Sequence, residues 1–236
     1  MKKKILLLCT CLLLGANAFG ADYTYVITDL EMNNFWQKTG KSQEKVSLVA
    51  KNLILKNQFN YRAPVFVIEN KTPHATTNHI TRIIEIHSGL LPLIDNDDEL
   101  AFIIGHEMSH ATDSYGGFMK ILKTMGYNSK SYEYKCDMKS IDYMVKAGYD
   151  PISAIIIGNK FFSEPHWDWG QTHPKGSKRL ISIYKYIYKK YPQYLTSDKT
   201  NNPYYKNFEY VFAEELKGFH HKESVRQQKQ LKKEAI

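Results

Sequence analysis

The chain has 236 residues, room for one domain with a sizeable core, and its 43% hydrophobic content is that of a globular protein. Its formal net charge is +8, but Lys2, Lys3 and Lys4 lie in a leader-like segment; without them 29 Lys+Arg face 24 Asp+Glu, a mild balance of +5 that does not argue for a nucleic-acid partner. Of three cysteines only Cys136 lies beyond that segment, which excludes an internal disulfide.

The basic start is followed by an apolar run over 5–14, broken only by Thr10, and by mostly small residues over 15–20. This is the pattern of a secretory signal peptide, with cleavage expected after Ala18 or Gly20. The run is short for a bilayer span. Leu8 and Thr10 stand where a small residue would precede a lipidated cysteine, so lipidation is not expected. The sequence therefore predicts a signal peptide over 1–20, a domain over 21–216 and a polar, basic tail, solvated or frayed, over 217–236. It also predicts a periplasmic or secreted location and no integral membrane segment in the mature chain.

In the domain, Val46, Val49, Leu53 and Ile54 recur at helical spacing behind a Ser42 cap, which predicts a helix over 42–57. Val65, Phe66, Val67 and Ile68 form a short buried strand. Residues 71–78 read as a polar turn. Residues 79–87 alternate, with Ile80, Arg82, Ile84 and Ile86 on one side, which predicts a second strand. Ser88 and Gly89 break it, and 90–94 bridges to a helix capped by Asn96 with Glu99 at its third position.

That helix carries His106-Glu107-Met108-Ser109-His110. Residues four apart stack on one helix face, so His106 and His110 can share one metal ion, of which zinc is the usual occupant. Glu107 lies about 100° round the helix and can reach a metal-bound water without ligating the metal. Gly116 and Gly117 end the helix; Phe118, Ile121, Leu122 and Met125 predict a short amphipathic one.

Helices are further predicted over 132–147, closed by Gly148, over 151–162 behind Asp150, and over 177–191. The loop between the last two holds His166, Trp167, Asp168, Trp169 and His173, with both tryptophans assigned to the core. Phe208, Val211, Phe212 and Leu216 predict a last helical segment.

A catalytic zinc site takes three protein ligands and a water. A third histidine at the metzincin spacing is excluded, because that position is Gly116. The remaining candidates are Glu133, Asp137, His166, Asp168 and His173, of which Glu133 with Asp137 fits best. Four apart on one helix, Glu133 can bind the metal while Asp137 accepts a hydrogen bond from a ligand histidine. Cys136 is assigned to packing. His74, His79 and His87 have no ligand spacing and are assigned no role.

These segments resemble the HtpX/BepA-like zinc metallopeptidases, a gluzincin family related to the CAAX prenyl proteases. The likeness rests on Gly89-Leu90-Leu91, Asp98-Glu99-Leu100-Ala101, Gly105 to Ala111 around the histidines, Glu133-x-x-x-Asp137, Ala147 to Pro151, and Thr172-His173-Pro174 with Arg179-Leu180. Lys135 and Cys136 depart from the family's acidic motif, and 73–78 departs from its Asn-Ala-x-Ala followed by glycines. The resemblance implies an α+β, mostly helical gluzincin-type fold with a small mixed sheet over the metal helix. Its edge strand, expected over 79–87, would pair with an extended substrate.

It also implies one Zn2+ per chain on His106, His110 and Glu133, with Asp137 and Arg179 behind the ligands and Glu107 as general base. His173 is the candidate donor to the oxyanion, since the corresponding family loop lies over the site. The implied activity is a zinc metalloendopeptidase acting on extended or unfolded polypeptides in cell-envelope quality control. Alternatives are a processing protease with one target and a non-catalytic, chaperone-like zinc-binding relative.

Overall fold

The computed structural model describes residues 33–59, 63–113, 129–162 and 176–234. The expected signal peptide, the short helix expected over 118–125, and the loop with His166, Trp167, Asp168, Trp169 and His173 lie outside the described residues. The elements in order are α1 (Asn33–Asn57), β1 (Val65–Ile68), β2 (Ala75–Thr77), β3 (Ile84–His87), a 3-10 turn (Ser88–Leu93), α2 (Asp97–Asp113), α3 (Ser129–Ala147), α4 (Ile152–Phe162), α5 (Gly176–Lys190), two further 3-10 turns (Pro192–Thr196 and Asp198–Asn201), α6 (Pro203–Val211) and α7 (Ala213–Glu234). The fold is α+β and mostly helical, with one mixed sheet among the described residues, as the resemblance implies.

The sheet has the order β1-β3-β2, with β1 parallel and β2 antiparallel to β3. Val65 and Val67 pair with Ile84 and Ile86, and all four are buried, so period-two alternation sends one face into the core. The outer edge of β1 is closed by a side chain: Gln43 of α1 accepts from the Val67 N–H at 2.7 Å and donates to the Val65 carbonyl at 3.1 Å. The opposite edge is β2.

This corrects two expectations. The strand predicted over 79–87 is strand only at Ile84–His87, where it is central, and the edge is Ala75–Thr77, which the sequence reads as turn. The reason is a hairpin turn. The Asn78 carboxamide oxygen accepts from the Ile80 and Thr81 N–H groups, and Arg82 takes φ 62°, so the alternation of Ile80 and Arg82 is not strand pleating. Ile80 is 84% exposed.

The start of α2 is locked. Asn96 accepts from the Glu99 N–H at 3.1 Å, and the Glu99 carboxylate accepts from the Asp95 N–H at 3.0 Å and the Asn96 amide at 3.2 Å. Lys160 of α4 lies 2.7 Å from the same carboxylate, which is fully buried. From this anchor Leu100, Ile104 and Met108 of α2 enter one core with Val46 and Leu53 of α1, Ile141 and Met144 of α3, and the sheet. Helix α4 is buried continuously over 151–159, the pattern of a central helix apolar on every side.

The tail expected to fray over 217–236 is helical as far as Glu234. Leu216 and Phe219 join the core, the Phe219 ring packs on those of Tyr184 and Tyr188, and the Tyr184 hydroxyl lies 2.9 Å from His220 Nε2.

Helices α2 and α3 approach closely at Gly105. A Cβ there would lie 2.6 Å from Ser140 Oγ and 3.4 Å from Ser140 Cα, and Ser140 Oγ donates to the Phe102 carbonyl at 2.7 Å. Gly105→Ala should therefore destabilise the fold by about 1–3 kcal/mol, the usual cost of overpacking. Ser140→Ala in the same chain should restore part of that loss. Urea unfolding of the three variants tests it, and a Gly105→Ala midpoint equal to wild type would overturn the close-packing account.

Candidate metal centre

The pentapeptide on α2 turns His106 and His110 toward α3, and both, like Glu107 between them, are buried. Glu133 and Asp137, four apart on α3, face them. His106 Nε2 and His110 Nε2 are 3.1 Å apart, His106 Nε2 is 3.2 Å from Glu133 Oε2, and His110 Nε2 is 3.3 Å from Glu133 Oε1. Among the described residues these three form the one group of histidine, cysteine and carboxylate donors close enough to hold a metal ion.

The donor set fits zinc. Two imidazole nitrogens and a carboxylate oxygen are its usual ligands, and an ion about 2.0–2.1 Å from tetrahedrally placed donors holds them about 3.3 Å apart. Three donors leave one position open, the arrangement of a catalytic site rather than a structural one.

The far side of each histidine is also held. His106 Nδ1 is 3.0 Å from Asp137 Oδ1, so its N–H donates to the carboxylate and Nε2 keeps its lone pair for the cluster. His110 Nδ1 lies 3.7 Å from Cys136 Sγ. Asp137 in turn accepts from Arg179 of α5 through two oxygens, at 2.6 Å from Nη2 and 2.8 Å from Nε, and Arg179 Nη1 lies 3.4 Å from Glu133 Oε2. The bidentate pair joins α5 to α3, and the bond from His106 adds α2.

The electrostatics follow from this packing. Burial opposes charge on Asp137, but the Arg179 guanidinium and the bonds from Arg179 and His106 outweigh it and lower the carboxyl pKa. Burial opposes charge on Arg179 too, and Asp137 and then Glu133 raise its pKa despite it. For His106, burial is outweighed by the hydrogen bonds to Asp137 and Glu133, which push its pKa up to about 10. The two carboxylates thus favour a cation between them.

Glu107 points to the sheet side. Thr77 Oγ1, at the end of β2, is 2.7 Å from Glu107 Oε2 and 2.9 Å from its backbone oxygen. Two residues on, the His79 ring stands edge-on to His110, with centroids 5.9 Å apart. Burial lowers the His79 pKa, the nearby His110 lowers it further, and Glu107 and Glu133 pull the other way. The Tyr132 ring lies 5.1 Å from that of His110. On the other side, Phe102, Ile103 and Phe161 line an apolar concavity that reaches His106, Glu107 and Arg179.

The structure thus brings together His106, Glu107, His110, Glu133, Asp137 and Arg179; His173 lies outside the described residues. Sequence reasoning missed Thr77, His79 and Tyr132. The available signal for the first two was the departure over 73–78 from the family's Asn-Ala-x-Ala followed by glycines. Nothing marked one tyrosine among 17.

The profile of peptidase family M48 matches residues 37–125, a span that holds the sheet and the His106 to His110 helix but stops before Glu133, Asp137 and Arg179. A comparison with curated proteins finds no match.

Asp137→Asn should lower zinc affinity about 10–100-fold, the usual effect of removing a carboxylate behind a ligand histidine. It should also lower stability, because it leaves Arg179 buried beside a neutral amide. Competition against a chromophoric chelator measures the first, and an affinity equal to wild type would remove Asp137 from the support of the site.

Proposed function

We propose that the chain is a member of peptidase family M48, whose profile matches residues 37–125, and that it is a zinc-dependent endopeptidase, exported to the periplasm or secreted, that cuts extended or unfolded polypeptides in cell-envelope quality control. The observation that carries this reading is the convergence of His106, His110 and Glu133, with Glu107 beside them on the same helix. The basic start and apolar run over 2–14 support export. Among the described residues no helix is long and apolar enough to cross a membrane. The resemblance to HtpX/BepA-like peptidases supports the quality-control role.

Bound zinc supplies Lewis acidity, which polarises a scissile carbonyl and makes water acidic enough to attack near neutral pH. Glu107 accepts the attacking water's proton on its carboxylate and passes it to the leaving amine. The Thr77 hydroxyl orients that carboxylate from the sheet. Asp137 fixes the His106 tautomer, and Arg179 holds Asp137 ionised.

The substrate's path follows from the sheet. Gln43 occupies the edge of β1, so an extended chain adds at β2, whose last residue touches the general base. A peptide on that edge places the side chain beside its scissile bond near Phe102, Ile103 and Phe161.

Purified mature chain should cleave casein, and a zinc chelator should abolish the cleavage. Glu107→Gln should keep zinc and lose about 10²–10⁴-fold in kcat, the contribution of a general base. Retained hydrolysis in that variant would sink the mechanism, and chelator-insensitive or absent cleavage by wild type would sink the zinc-peptidase reading. In a peptide series varied at the residues flanking the bond, Leu or Phe should exceed Gly by about 10–200-fold in kcat/KM, the range an apolar pocket supplies. Ile103→Trp should narrow that preference; a flat series would remove the pocket from recognition.

A further inference from the structure

The turn after β2 carries an imidazole to the rim of the donor cluster, and its backbone is tightly held. The Asn78 N–H donates to the Ile83 carbonyl at 2.9 Å, and the Asn78 carbonyl accepts from the Arg82 N–H at 2.6 Å. The Asn78 side chain accepts from the Ile80 N–H at 2.9 Å and the Thr81 N–H at 3.0 Å. These bonds fix the chain on both sides of His79, so its ring is delivered by a built turn rather than by a loose loop.

The ring is half-buried and nearly perpendicular to that of His110, at 84°. It neighbours the donor cluster without joining it: the donor atoms within 4.8 Å of one another belong to His106, His110 and Glu133. Thr77 and His79 are two residues apart at the end of the edge strand. One reaches Glu107 and the other stands over His110, so both ends of the pentapeptide are met from the rim along which a substrate would lie.

A peptide carbonyl under attack develops negative charge on its oxygen. Lewis acidity on one side leaves room for a second, preorganised donor on the other. We propose that His79 is that donor: an imidazole N–H hydrogen-bonds the oxygen of the scissile carbonyl as it becomes an oxyanion. No proton is transferred from His79, and no bond to it forms. The proposal rests on the peptidase reading above.

The test uses the full mature chain, zinc-loaded, with a quenched fluorescent peptide and a phosphinic peptide of the same sequence. His79→Ala and His79→Phe should lower kcat about 10²–10³-fold, the usual effect of losing one oxyanion donor, with KM near wild type. His79→Gln, which keeps an N–H at similar reach, should recover at least about tenfold of that loss. Affinity for the phosphinic peptide, whose anionic oxygens mimic the oxyanion, should fall in step with kcat/KM while zinc stoichiometry stays at one per chain. Unchanged kcat, a change in KM alone, no rescue by Gln, or loss of zinc in the variants would each overturn the proposal. A wild-type chain that cleaves neither peptide nor casein and binds no zinc would overturn the peptidase reading and this proposal with it.

Discussion

The carboxylate of Asp137 is the joint on which the site depends. It has no exposed surface, yet it is ionised, and it stays so because Arg179 meets it with two hydrogen bonds while His106 gives it a third. Burying a lone carboxylate is costly by several kcal/mol; burying it within such a set is tolerable because every charge has a partner. The same set fixes where α2, α3 and α5 sit, since each contributes one member. Fold and site are thus determined by one contact rather than by a scaffold with a site added to it.

That contact requires the helices to be near one another before any side chain reaches across. Gly105 permits it by presenting bare backbone to Ser140. The Lys160 ammonium holds the first turn of α2 through Glu99, fixing the helix along its axis. One restraint sets the spacing of α2 and the other sets its height. Together they leave His106 and His110 little freedom to miss Glu133. A ligand set held this way does not have to order its side chains when it binds an ion, which removes an entropic penalty on affinity.

Much of this was legible from periodicity and spacing. The pentapeptide, the capping residues Asn96 and Glu99 and the Glu133–Asp137 pair are local patterns, and a helix converts local spacing into geometry directly. The sheet edge was not legible. Ile80, Arg82, Ile84 and Ile86 alternate as a strand should, but a side-chain bond from Asn78 and a left-handed Arg82 turn the first half into a hairpin. The C-terminal helix was hidden for the opposite reason. Only Leu216 and Phe219 bury, too few for a periodic signal, and contacts with Tyr184 and Tyr188 far back in the chain hold it. Thr77 and His79 could not be found from spacing at all, because what places them beside Glu107 and His110 is the crossing of a strand over a helix.

The charges around the cluster carry a further consequence. Arg179 is shared between Asp137, at 2.6 Å, and Glu133, at 3.4 Å, so its one positive charge faces more than one carboxylate. Two buried carboxylates beside two imidazoles favour a divalent cation over a single proton, since one proton answers only half of their charge. The two histidines would share that cation unequally. His106 is backed by an ionised carboxylate and becomes the more basic ligand, whereas His110 is backed by the Cys136 thiol, a much weaker partner. The charged groups therefore gather behind His106, and the neutral rings of Tyr132 and His79 gather about His110. This asymmetry, set by residues 136 and 137 of a single helix, gives the open face of the site its direction.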